Sequence, residues 1–126
     1  MRIAIIVAFL LLPIAAQAQN LRAAASGVPL KLLFIASTNP DCSSYGRTTI
    51  QVVVPPQHGH VRITQGREFP TFTPSNPRSA CNTRRVAGSV AYYVSQRGYR
   101  GPDAVILDGI YATGRLRRWT YGIVVR

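Results

Sequence analysis

Apolar and polar residues alternate in short runs along this chain, at the period of strands and not of helices. Residues 48–54 are the clearest case: Ile50, Val52 and Val54 share one side while Thr49 and Gln51 share the other, as in a half-buried strand. Pro55-Pro56 must end it, because proline has no N–H to give a ladder. Residues 60–64 repeat the alternation with Val61 and Ile63 inward. Residues 89–95 place Val90, Tyr92 and Val94 on one face, 104–112 form a further strand, and 119–125 turn Tyr121, Ile123 and Val125 inward. The dense apolar run 30–37 predicts the first strand despite Lys31, and 68–73 a short edge strand interrupted by Pro70. Turn chemistry falls between them: Thr38-Asn39-Pro40-Asp41, Gln65-Gly66, and a long irregular connection over 74–88. About seven antiparallel strands with turns every 8–12 residues predict an all-β sandwich over residues 29–126. No amphipathic helix, internal repeat or second domain is patterned after residue 18.

The start of the chain reads differently. Met1-Arg2 is followed by ten apolar residues from 3 to 12, then Pro13 and the small-residue triplet Ala16-Gln17-Ala18. This is the three-part layout of a secretory signal peptide cleaved after Ala18; the apolar run is shorter than the roughly 20 residues a spanning helix needs. Residues 19–28 are Ala-rich without strand patterning and predict a flexible lead-in. Export makes the protein periplasmic or secreted, with no transmembrane span after cleavage. It also changes how Cys42 and Cys81 read. In an oxidising compartment one such pair is most simply a disulfide, whereas a redox or metal pair lacks CxxC spacing and a neighbouring acid or His cluster.

Three local signatures occur in order: Pro55-Pro56-Gln57-His58-Gly59-His60-Val61, the aromatic strand Val90-Ala91-Tyr92-Tyr93, and Gly98-Tyr99-Arg100-Gly101-Pro102-Asp103. Together they resemble the bacterial Ig-like or cadherin-like repeats of exported surface proteins, over residues 45–125. The resemblance implies an Ig-like sandwich serving adhesion or protein contact, not catalysis. The chain departs from that pattern in lacking a proline after Tyr93, in carrying a single copy, and in its Cys-bearing 74–88 loop. The residues also read without the family: Gly59, Gly98 and Gly101 permit tight reversal, Tyr99 caps the end of the core, and Asp103 accepts backbone N–H groups in its turn.

Charge adds the one strong functional signal. Of 15 Lys+Arg against 4 Asp+Glu, 14 are Arg, and the net charge is +11. Arg84, Arg85, Arg97, Arg100, Arg115, Arg117 and Arg118 crowd the second half. Guanidinium groups pair bidentately with carboxylate or phosphate and stack on rings, and aromatic residues beside them are typical interface anchors. With Tyr92 and Tyr93 on opposite faces, Tyr93 is expected exposed beside Arg97 or Arg117. The same charges also serve as a solvated, merely solubilising surface; both readings stand. A functional patch implies an anionic partner, either an acidic exported protein or envelope phosphate groups, since export removes nucleic acid from reach.

The residue inventory offers little for catalysis. No nucleophile signature occurs, and three Asp and Glu68 stand in no recognisable acid–base context. His58 and His60 lack further metal ligands, and the sparse acids in a positive field argue against calcium. No cofactor is implied. The chain reads as a non-enzymatic exported binding module; the alternatives are a small exported inhibitor or effector acting through loop 74–88 and, remotely, a hydrolase.

Overall fold

Backbone pairing extends the alternating runs into longer strands than side-chain pattern alone suggests. A computed structural model describes residues 20–126; the leader expected over 1–18 lies outside the described residues. Among these, nine strands follow in order: β1 (Asn20–Ala24), β2 (Leu30–Ile35), β3 (Ser37–Thr38), β4 (Ser44–Gly46), β5 (Thr49–Val54), β6 (Gly59–Glu68), β7 (Val86–Ser95), β8 (Gly101–Ile110) and β9 (Leu116–Val125). One short 3-10 helix spans Ser79–Thr83. A four-stranded sheet ordered β1-β9-β8-β5 faces a three-stranded sheet ordered β2-β7-β6, with β3-β4 as a side ribbon. The protein is an all-β sandwich.

The core lies between the two sheets. Val105 and Leu107 of β8 and Tyr121, Ile123 and Val125 of β9 meet Leu33, Ile35, Ala91 and Tyr93 from the other sheet. A register shift between Lys31 and Leu33 lets both Leu32 and Leu33 be buried, because a bulge re-aims one side chain. Thr48, Ser89 and Gln65 tie the sheets with a polar knot: the Thr48 and Ser89 hydroxyls lie 2.7 Å apart, and Gln65 donates to Ser89 at 2.8 Å.

Several sequence expectations need correction. Residues 20–24 are not a lead-in but β1, paired parallel to β9 from Asn20–Tyr121 to Ala24–Val125. Its Ala-rich sequence lacks patterning because the ladder uses backbone groups, which side chains do not encode. The strands are therefore not all antiparallel. Gln65-Gly66 does not turn: β6 runs through both and stays in register with β7 to Glu68–Val86. Residues 69–73 form no strand, and β7 begins at Val86, inside the stretch read as irregular. Ile63, Val52 and Val54, expected inward, are 37%, 38% and 44% exposed. β5 and β6 are the outer strands of their sheets, and the pairing of β5 slips between Val52 and Val54, so its two-residue alternation ends at the bulge.

The disulfide is as expected. Cys42 and Cys81 are bonded, with Cα atoms 5.5 Å apart. The bond ties the tight turn at Asn39–Cys42, where Cys42 takes a left-handed φ of 72°, to the 3-10 helix.

Candidate anion-binding groove

Two sequence signatures come together at one end of the sandwich, and they do so structurally. The Asp103 carboxylate, nearly buried, accepts the Gln57 and His58 N–H groups at 2.9 and 3.1 Å and the Tyr93 hydroxyl at 2.7 Å. Two of its four donors thus lie in the 55–59 turn, not in its own corner. Burial pushes this carboxyl up, but the hydrogen bonds from Tyr93, Gln57, Ala104 and His58 outweigh it and hold the pKa below the ordinary value. The His58 ring stacks on Tyr99 at 4.1 Å with planes 8° apart, and the Tyr99 hydroxyl donates to the Pro102 carbonyl. A Cβ on Gly59 would fall 2.4 Å from the Val94 carbonyl oxygen, so glycine is required there by contact. Pro55 closes β5, while Gly98 and Gly101 hold φ values of 86° and 132° that favour glycine.

Tyr93, expected on the surface, is completely buried. Its face of β7 is the inner one, and its hydroxyl is used by Asp103; burial, then the Asp103 hydrogen bond and charge, push its pKa up. Tyr92 takes the outer position instead and carries Arg62 over its ring at 4.9 Å.

At the other end, the inward face of β9 leaves the core. Tyr121 is buried, Trp119 half-buried and Arg117 exposed, as the alternation dictates. Trp119 fits because position 109 is glycine: a Cβ there would stand 2.7 Å from the indole and 2.9 Å from Ile35. Arg117 lies over the indole at 4.9 Å. Across from them run β2 and residues 69–72. Between these walls lie three concavities of about 290, 400 and 430 Å³, all lined by Arg117 and so joined as one groove.

The lining has a distinctive chemistry. Arg22 and Lys31 stand at the β1 end and Arg78 and Arg115 at the hairpin end, with Arg117 between. Phe34, Phe69, Phe72, Tyr45, Tyr111, Trp119 and Tyr121 form much of the remaining wall. Among the described residues no carboxylate lines it. The local field registers on the tyrosines: burial pushes Tyr111 up while Arg117 and Arg115 pull it back, and burial pushes Tyr121 up against Arg22 and Arg117. Arg78 is held by donating its Nε–H to the Thr38 carbonyl at 2.5 Å. The buried Thr38 hydroxyl has no hydrogen-bond partner among the described residues, and Thr38 belongs to the same wall.

Of the arginines singled out from sequence, only Arg115 and Arg117 reach the groove. Arg118 points to the opposite face of β9 and grips the buried Asp108 bidentately at 2.8 and 2.9 Å. Arg85 covers Phe69 at 5.4 Å, Arg84 follows the 3-10 helix, and Arg97 and Arg100 belong to the turn that connects β7 with β8. Sequence reasoning missed Arg22, Lys31 and Arg78, scattered singly through the chain. The alternation of Arg117, Trp119 and Tyr121 was their nearest signal, since it marks one strand face. No group of three or more His, Cys, Asp or Glu comes together among the described residues, where no helix is long and apolar enough to cross a membrane.

No family model, curated protein or solved structure matches this chain.

Proposed function

We propose that this protein is an exported, non-enzymatic binding module that docks an anionic partner in the groove between β2 and β9. The disulfide suits an oxidising compartment, and the contact of the 55–59 turn with the 98–103 corner supports the kinship with Ig-like surface repeats. The observation that carries the function is the lining: five cations beside seven aromatic rings and no carboxylate. Of these cations, Lys31 alone has a carboxylate in contact among the described residues, Glu68 at 3.4 Å; the four arginines have none and repel one another, at a cost an anion relieves. Guanidinium groups against rings supply both bidentate pairing and stacking. Asn76 and Arg78, from the 74–88 loop read as an alternative effector surface, line the same groove, so one site serves both readings.

The protein's single tryptophan, Trp119, sits in that wall and reports occupancy directly. Titration of the exported protein with polyglutamate at low salt will change its fluorescence, and the affinity will fall steeply as salt rises. Arg115→Gln with Arg117→Gln will weaken binding by about tenfold or more, roughly 1.4 kcal/mol. Arg84→Gln with Arg97→Gln, outside the groove, will not. Binding that ignores salt, or that survives the Arg115/Arg117 replacement, overturns the reading.

A further inference from the structure

β9 is ten residues long and pairs with β8 along its whole length, from Leu116–Ile110 to Val125–Gly101. On its other side β1 covers only Tyr121–Val125. Among the described residues, the edge of Leu116–Thr120 facing away from β8 therefore has no strand partner. Among the described residues, no turn, loop or side-chain hydrogen bond reaches the backbone of those five residues. Alternate residues of a strand direct N–H and C=O to each edge, so the half-covered strand presents a short template.

That template adjoins the groove. Asn20, at the start of β1, lines the same concavity as Trp119 and Tyr121. A strand placed end to end with β1 along Leu116–Thr120 would turn alternate side chains towards Arg117, Arg22 and Lys31, under the wall formed by β2. We infer that the groove takes an extended acidic peptide segment of a partner protein, added as a strand to the uncovered half of β9. The inference rests on the exported, anion-binding reading, in which cleavage after Ala18 leaves only Gln19 ahead of Asn20, and it specifies the ligand. A polypeptide alone offers the row of alternating N–H and C=O that the edge matches; glycan and phosphodiester chains carry charge without it. Main-chain bonds then supply affinity, and the cations select acidic side chains at alternate positions. Lys31 is already near Glu68 at 3.4 Å in an exposed pair, so an incoming carboxylate competes with a weak contact.

The test uses the protein isolated after export and a blocked peptide of about eight residues alternating Glu with Thr, long enough to span the gap. Two analogues, N-methylated at odd or at even positions, keep the charge but remove one row of donors. The peptide will change Trp119 fluorescence and slow exchange of edge-directed amides within residues 116–120 about tenfold or more. One methylated analogue will bind about tenfold weaker or worse. Trp119 responding with unslowed amides, or both analogues binding fully, leaves the charged groove but overturns strand addition. Amides of 116–120 already slow in the free protein would show that the edge is covered and overturn it as well. Polyphosphate binding where the peptide does not would also sink the peptide inference, while the anion reading stands.

Discussion

Asp103→Ala will cost about 3–5 kcal/mol of unfolding free energy, measured by urea denaturation, because a buried charged acceptor leaves several donors unsatisfied. The carboxylate collects the Gln57, His58 and Ala104 N–H groups and the Tyr93 hydroxyl, so one deletion strands donors on three elements. Tyr93→Phe removes a single bond and will cost less, about 1–2 kcal/mol; equal losses for the two variants would show that the network does not act as described. The pH dependence has a defined sign. Asp103 is held below its ordinary pKa when folded, so its contribution is present above the unfolded value of about 3.9 and is lost as pH falls through the folded one. Tyr93 is raised, so its contribution is present below about pH 10 and is lost as pH rises through the folded value. The contributions of these two groups will be constant between those limits. Asp103→Ala will lose much of the acid-side fall.

Replacing both Cys42 and Cys81 by serine will cost a similar amount by a different route. The bond closes 39 residues, which on the chain-entropy model constrains the unfolded state by about 4 kcal/mol. That is a large part of the 5–15 kcal/mol typical of a domain. The effect is also local. Cys81 anchors the segment in which Asn82 holds Phe72 through two hydrogen bonds of 2.8 Å and Arg78 holds Thr38. Circular dichroism of the double variant below its transition will remain that of a β protein, because β2-β7-β6 and β9-β8 pair without the bridge. Polyglutamate affinity will fall, because Phe72 and Arg78 line the groove. Unchanged denaturation midpoints in the double variant would refute the bracing role.

Strand interiors were legible where one face is buried, as in Tyr121, Ile123 and Val125. They were not legible at β1, which is Ala-rich and defined by its neighbour's backbone, nor at β6 beyond Thr64, where pairing with β7 carries Gln65 and Gly66 past an apparent turn. Tyr93 illustrates the same limit. Alternation separates it from Tyr92 but does not say which of the two is inside; Asp103, ten residues later, supplies the hydrogen bond that its inward hydroxyl uses.

The linear order of residues determined a β-rich chain with short repeating strands, an excess of arginine, two cysteines fit to bridge, and glycines where the backbone must reverse. These are matters of local sterics and composition. The tertiary structure alone decided that Arg22, Lys31, Arg78, Arg115 and Arg117 line one groove, while Arg118 is spent on Asp108. Strand order and register bring charges from β1, β2, β9 and two connections to one place, and neither is written in any single stretch of chain.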